Sequence, residues 1–446
     1  MQKIKENTGA AADMAPIRRA EGIKKPELLS PAGNFEKMKA AFLYGADAVY
    51  LGGKMFGMRS AADNLSVPEL FAAADYAHER GKKIYLTVNT MPHGEEYPAL
   101  REFLHAIRPA GLDALIVADL GVLQEVRTIL PDTEIHISTQ AGIVSPAAAC
   151  AYAALGASRV VLARELTLRE IAAIRAELPP HVEIEAFVHG SMCVSYSGRC
   201  MLSHYLTGRD ANRGGCTQPC RWSYKLIEEK RPDTPLPIEE NELGSFIMSS
   251  KDMCTIDLLP ALCRAGIDSF KIEGRMKSAY YTAVVTNAYR IALDRFAADP
   301  AGYENDPLLM RELESVSHRE YCTGYYTDAP IEQAHLCTQG GYIREKAYFA
   351  TAPEESELSG APLPPGLSQE TDEGRLYPFI QRNKLCVGEE AEALSPGRVG
   401  RAFLVRELYD AEGTPIESAP HPGMLFYTRV PFPICPGDIL RSGGAE

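Results

Sequence analysis

The sequence predicts an α/β fold: a closed (β/α)8, TIM-like barrel with a cysteine-rich insertion, followed by a small C-terminal β domain. Three observations carry that expectation. Short β-branched runs alternate with amphipathic stretches from about residue 27 onward, one interval between runs is far longer than the rest, and from about residue 376 the helical stretches stop.

The strand candidates, in order, are ELLSPAG (27–33), DAVYLGG (47–53), KKIYLTVNT (82–90), DALIVAD (113–119), EIHISTQAG (134–142), SRVVLARE (158–165), VEIEAFVHG (182–190), SFIMSSKD (245–252) and DSFKIEG (268–274). Each ends in small or polar residues. Between them, segments such as NFEKMKAAFLYG and LTLREIAAIRAEL carry an apolar stripe at helical spacing. Alternating strand and helix imply a parallel sheet, and this many units favour closure into a barrel. Nine candidates stand where eight are needed, so one is an added strand or a loop. An open doubly wound sheet is the alternative. No GxGxxG or GxxxxGK[ST] follows any strand, so nucleotide binding has no local support.

The first residues, MQKIKENTGAAADMAPIRRAEG, contain no continuous apolar run and read as a flexible tail rather than a signal peptide or membrane span. A cytoplasmic location is therefore expected, where thiols stay reduced and a cysteine cluster more often binds metal than forms disulfides. The 46% hydrophobic and 24% charged residues are those of a globular protein. A formal charge of −13 argues against indiscriminate nucleic-acid binding but leaves room for a local basic groove.

After the last strand candidate, GRMKSAYYTAVVTNAYRIALDRFAAD reads as one long helix, and a mixed segment runs on to about 350. APEESELSGAPLPPGLSQETDEG (352–374) is rich in proline, glycine, serine and acid, as a linker or exposed loop is. YPFIQRNKLCVGEEAEAL, GRAFLVRELYDAEGTPI and GMLFYTRVPFPICPGDILR read as short strands joined by turns. The expected organisation is a tail over 1–25, a barrel over 26–350 with an iron–sulfur loop at 189–225, a linker or loop over 351–375 and a small β domain over 376–446.

The long interval, about 60 residues, separates VEIEAFVHG from SFIMSSKD. It holds Cys193, Cys200, Cys216 and Cys220 in the pattern C-x6-C-x15-C-x3-C, flanked by Gly190, Gly198, Gly214 and Gly215. Loops that follow the C-terminal ends of barrel strands form the active-site face, so the cluster is expected where chemistry occurs. Four thiolates suit a structural zinc or an iron–sulfur cluster. Zinc ribbons pair two short knuckles and only one short pair is present, which favours iron–sulfur. Four small buried hydrophobes are the plain alternative. Radical SAM chemistry would need CxxxCxxC, and CTQPCRWSY has no third cysteine.

The stretch EAFVHGSMCVSYSGRCMLSHYLTGRDANRGGCTQPCRW resembles the signature of the collagenase-like U32 peptidase family. ELLSPAGNFEKMKAAFLYGADAVYLGG, SSKDMCTIDLLPALCRAGIDSFKIEGRMKS, SHREYCTGYY and QRNKLCVGEEAE…PGDILR extend the resemblance over nearly the whole chain from Glu27. Despite the family's name, the resemblance implies an oxygen-independent hydroxylation protein with a four-iron four-sulfur cluster. One branch of the family hydroxylates the wobble uridine of tRNA with prephenate, another a cytidine of large-subunit ribosomal RNA, and a third ubiquinone precursors. Length, cysteine loop and C-terminal β domain are most similar to the tRNA branch. The resemblance makes Cys193, Cys200 and Cys216 cluster ligands. For the fourth, Cys220 is preferred because a C-x3-C pair sets both sulfurs on one turn of chain, and Cys254 in SSKDMC is the other candidate.

His189 precedes the cluster loop and is a candidate general acid or base, or a structural hydrogen-bonding residue. Lys271, Glu273 and Arg275 alternate along a strand end, so all three can point into the barrel mouth. There an arginine suits a dicarboxylate such as prephenate, a surface ion pair being the plain alternative. Arg199, Arg209, Arg213, Arg221 and Lys225, with Tyr205, Trp222 and Tyr224, form a basic and aromatic patch suited to an RNA strand with an unstacked base, or else a solvated loop face.

The function expected is formation of 5-hydroxyuridine at the tRNA wobble position, with tRNA and prephenate as partners. Hydroxylation of a ribosomal RNA cytidine is one alternative and peptidase activity another. Neither HExxH nor GxSxG is present. A thiol protease would have to pair a clustered cysteine with His189 or His318, and a ligated thiolate is not a free nucleophile.

Overall fold

A computed structural model describes residues 24–58, 63–193, 200–222, 240–241, 244–245, 250–327, 342–358, 364 and 366–443. The tail expected over 1–25 lies almost wholly outside the described residues.

Eight strands form the barrel: β1 (Glu27–Pro31), β2 (Ala48–Gly52), β3 (Lys83–Val88), β4 (Ala114–Val117), β5 (Glu134–Ile137), β6 (Arg159–Val161), β7 (Glu183–Ser191) and β8 (Ser269–Ile272). Neighbours pair in parallel, and β8 closes the ring by pairing with both β7 and β1. The surplus strand candidate is 245–252, of which 246–249 lie outside the described residues. Its end enters the strand Asp252–Cys254, which runs antiparallel to the last residues of β7 and parallel to Tyr321–Cys322. β7, nine residues long, has length enough for both partners: its first part is a barrel stave and its end carries the added strand.

The helices α1 (Phe35–Leu43), α2 (Val67–His78), α3 (Tyr97–Ile107), α4 (Leu120–Ile129), α5 (Pro146–Ala154) and α6 (Leu168–Glu177) follow β1 to β6 in turn. Local sequence sets their starts. The side chains of Asn34, Asp119, Ser145 and Thr167 accept hydrogen bonds from first-turn amides, and Thr167 with Glu170 completes a capping box. In α3 the buried residues are Leu100, Phe103, Leu104 and Ile107, a single apolar stripe. Two short helices, α7 (Leu202–Thr207) and α8 (Leu259–Arg264), lie between β7 and β8. The long helix after β8 is α9 (Ala279–Ala298), 20 residues, followed by α10 (Pro307–Glu314). Most of α9 is buried, as its composition allows, because barrel and C-terminal sheet cover opposite sides of it. Tyr280 stacks on Tyr348, and Asn287 Nδ2 donates to the Arg398 carbonyl at 2.8 Å.

Inside the ring, Leu29, Ala48, Tyr50, Tyr85, Ala114 and Ile116 pack together. Beside them lies an ionic layer in place of a fully apolar filling. Arg159 bonds Glu27 at 2.7 Å, Glu183 at 2.5 Å and Glu185 at 3.1 Å, and Lys271 Nζ bonds Glu185 Oε1 at 2.5 Å. Burial alone would raise the Glu27 carboxyl, but Arg159, helped by Tyr85 and Ser269, brings it down to about 2.

The C-terminal residues form a separate antiparallel sheet around a core that includes Phe349, Phe379, Phe426 and Leu440. Its strand Tyr348–Thr351 pairs with both Gly374–Gln381 and Ile439–Ser442. The strands on either side of the proline-rich stretch belong to this one sheet, so of the two expectations, linker or exposed loop, the pairing agrees with a loop. Tyr44 Oη against the carbonyls of Leu394 and Gly437, and Arg441 against Glu312 at 2.7 Å, fasten the sheet to the barrel. Among the described residues no helix is long and apolar enough to cross a membrane.

Candidate active site

The C-terminal mouth of the barrel opens into a cavity of about 740 Å³. Lys271 at the end of β8 and Glu273 and Arg275 in the turn that follows line it, together with the neighbouring Gly274, Met276 and Lys277 rather than by alternation, and Cys193, Cys200, Cys216 and Cys220 line it from the long insertion. None of the four cysteines is in a disulfide. They share the cavity, yet among the described residues no three His, Cys, Asp or Glu side chains stand grouped as a metal-binding set.

The cysteine loop is held by its own side chains. Asn212 exchanges two 3.2 Å hydrogen bonds with the backbone of Cys200, and Ser203 accepts from the amide of Thr217 at 3.1 Å. Gly214 has a φ of +89°, and a Cβ there would stand 2.9 Å from the Gly57 carbonyl, so glycine is what lets the loop sit on the segment after β2. Arg213 bonds Glu96 at 2.6 Å, a second tether, to the segment after β3.

Arg275 is 3% exposed. Its Nη1 donates to Thr87 Oγ1 at 3.1 Å and its Nη2 to Asn64 Oδ1 at 2.7 Å, both neutral oxygens. Lys271 Nζ, held by Glu185, sits 4.4 Å from the centre of the Tyr50 ring, and Tyr50 Oη donates to Glu273 Oε2 at 2.9 Å. Cations dominate the lining: Arg164, Arg209, Lys271, Arg275, Lys277 and Arg344 against one carboxylate, Glu273, among the described residues. In a chain of net charge −13 this is a local inversion of sign.

His189 does not reach the cavity. Phe187 lines it, and strict alternation would send His189 the same way. Instead Lys271 pairs with Phe187 and Ile272 with His189, so β7 accommodates one extra residue, Val188. That bulge turns His189 outward against Tyr281, Tyr289 and Tyr321, where it is 1% exposed. Burial pushes its imidazole down to about 3, so the ring is neutral. Cys254, paired opposite His189, is also buried away from the cavity, and burial pushes its thiol up to about 12. His318 is buried, stacks on Tyr321 and bonds the Arg319 carbonyl through Nδ1 at 2.7 Å.

The basic patch divides. Arg209 enters the cavity, Arg213 is spent on Glu96, and Tyr205 and Trp222 face outward. Arg199, Tyr224, Lys225 and the side chain of Arg221 lie outside the described residues.

Several lining residues escaped the sequence reading. Asn89, Gln140 and Arg164 each stand at the C-terminal end of a strand candidate, and that position alone could have flagged them. Lys277, Tyr342 and Arg344 are placed by loops, with no periodic signal.

Fold and site together define a (β/α)8 barrel protein with a thiol-lined, cation-rich cavity at its mouth. The chain matches the model of peptidase family U32 over residues 33–335 and that of the U32 C-terminal domain over 366–441, and it belongs to that family. A tRNA hydroxylation protein of Bacillus subtilis is 36% identical over 420 residues, spanning 94% of this chain and 95% of that protein. A 23S ribosomal RNA 5-hydroxycytidine synthase of Escherichia coli is 41% identical over 60% of this chain and 39% of its own length. A collagenase of Porphyromonas gingivalis is 32% identical over 72% of this chain and 78% of its own.

Proposed function

We propose that this chain hydroxylates RNA, and more narrowly that it converts the tRNA wobble uridine into 5-hydroxyuridine with prephenate as cosubstrate and a four-iron four-sulfur cluster on Cys193, Cys200, Cys216 and Cys220. The observation that carries the reading is the convergence of four cysteine side chains, none in a disulfide, and six cations on one cavity. Full-length similarity to a tRNA hydroxylation protein supports the substrate class.

The donor set fits the cluster in kind. All four ligands are soft sulfurs, and the loop bearing them is tied to the barrel rim at Gly214 and Arg213. When bound, the cluster would supply one-electron steps beside the substrate, the hard chemistry that side chains lack. Replacing a ring hydrogen with hydroxyl is a two-electron oxidation, so an oxygen donor and an electron acceptor must meet the base in this cavity. The protein's part is to bind and orient. Arg275 offers a planar fork to a cosubstrate carboxylate, Arg209 and Arg344 offer charge to phosphate, and Glu273 can hold the proton leaving the ring.

A hydrolytic reading needs a free thiol beside a base. Among the described residues no histidine lines the cavity, and His189 and His318 are both buried behind it. Mass spectrometry of nucleosides from tRNA and ribosomal RNA of a deletion strain, with and without the restored gene, tests the proposal. Loss of 5-hydroxyuridine derivatives from tRNA alone is the expected result. Loss of ribosomal 5-hydroxycytidine would move the substrate to ribosomal RNA, and no change in either would refute RNA hydroxylation.

A further inference from the structure

One wall of the cavity comes from a segment that the barrel does not require. His318 and Ile343 exchange both backbone hydrogen bonds, N–H of His318 to the Ile343 carbonyl at 3.1 Å and the reverse at 2.7 Å. In such a bridge the residues before and after the paired one point to the same side. Tyr342 and Arg344 accordingly both line the cavity, and Ile343 does not. Lys277 stands 4.2 Å from the centre of the Tyr342 ring while donating to the Ser317 carbonyl at 2.7 Å. The ring is backed by a fixed cation, yet Tyr342 remains 40% exposed at the mouth.

An exposed aromatic plate with an arginine two residues along an extended segment has a definite chemistry. Every nucleobase offers a face to stack on a ring, and the phosphate beside it meets a guanidinium. The two side chains are roughly 6 to 7 Å apart along the strand, a span that one extended nucleotide can bridge. A peptide would use the ring but not the excess of cations.

We propose that Tyr342 and Arg344 form the subsite for one extruded nucleobase and its adjoining phosphate, with Lys277 fixing the ring. This rests on the RNA reading above and assigns the binding position within it. Tyr342 stacks, Arg344 anchors the phosphate, and the base enters the cavity that the cysteines and Glu273 also line.

The test uses the full chain and two fluorescent RNA stem-loops, one with a uridine in its loop and one abasic at the same place. The wild type should favour the uridine probe by roughly 5- to 100-fold, the range expected for one base stacked on one ring. Tyr342→Ala should abolish most of that preference, and Tyr342→Phe should keep it. Tyr342→Leu, which fills the space without an aromatic face, repeats the test if the alanine variant melts early. Arg344→Ala should weaken both probes alike and lower the salt slope by about one. Undiminished uridine preference in both the alanine and leucine variants overturns the subsite. So does displacement of the uridine probe from wild type, but not from Tyr342→Ala, by a Gly-Pro-rich peptide. If RNA is hydroxylated yet the Tyr342 variants bind and react as wild type, only the subsite fails. If the wild type neither distinguishes the probes nor modifies RNA, the functional reading fails with it.

Discussion

Gly52 ends β2 where the guanidinium of Arg275 crosses it. A methyl group added there would collide with Arg275 Nη2 and stand 2.8 Å from Asn64 Oδ1. The backbone is not the obstacle, because Gly52 lacks the positive φ that bars other residues. Gly52→Ala should therefore fold and keep the arginine charge, but push the fork off Thr87 and Asn64. A hydrogen bond to a charged group is worth about 1.5 to 3 kcal/mol, so losing one well-aimed bond to a carboxylate raises the half-saturating prephenate concentration roughly 10- to 100-fold. Arg275→Lys should reach a similar deficit by another route, since one ammonium cannot span two acceptors. The assay is a prephenate titration of uridine hydroxylation, with thermal melting and iron content as controls. Activity should recover at high prephenate in both variants. An unchanged half-saturating concentration in Gly52→Ala, or a loss that no amount of prephenate restores, would refute the carboxylate role of Arg275.

Three other outcomes are expected. Alanine at Cys193, Cys200, Cys216 or Cys220 should remove bound iron and activity together; full iron in any one variant takes that cysteine out of the ligand set. Arg209 enters the cavity whereas Arg213 is held by Glu96, so Arg209→Ala should reduce the salt slope of tRNA binding by about one and Arg213→Ala by less, an order that parallel titrations would reverse if the RNA lies elsewhere. The Glu27 carboxyl drops from 4.5 to about 2 on folding. A lowered value means stability present above pH 4.5 and lost as pH falls toward 2, worth up to about 3 kcal/mol for this group. Denaturation of wild type and Glu27→Gln across that window should converge at its acid end, and a constant gap would contradict the assignment.

How far the sequence reveals the molecule depends on whether a feature is local. The barrel strands and α9 are written in short-range periodicity, and the cysteine loop in short-range spacing, so both are legible. The strand Asp252–Cys254 is not: a β-branched run looks the same whether its partner is a barrel stave or the overhanging end of β7. His189 shows the limit most clearly. Alternation from Phe187 sends it into the mouth, and a single bulged residue at Val188 sends it out, where a neutral buried ring cannot trade protons with substrate. Tyr342 and Arg344 are invisible for a related reason. Their direction is fixed by the pairing of Ile343 with His318, across residues that carry no pattern of their own.

The cations at the mouth are not equivalent, and the ionic layer inside the barrel explains which of them can hold a ligand. Arg159 and Lys271 face Glu27, Glu183 and Glu185, so that layer already carries a carboxylate for each cation and one to spare. The charge of Lys271 is met from below, and its role is to fix the layer beneath Tyr50 and Glu273. Arg275 lies further out, in the turn after β8, where it donates to a hydroxyl and an amide oxygen. A guanidinium buried to 3% exposure keeps its planar donors in a fixed direction, aimed from Thr87 and Asn64 toward the cavity it lines. The lining therefore runs from a self-compensated floor to a rim of Arg275, Lys277, Arg209 and Arg344, and the proposed reading places the anionic cosubstrate and the phosphate backbone at that rim, beside the thiols, rather than in the barrel.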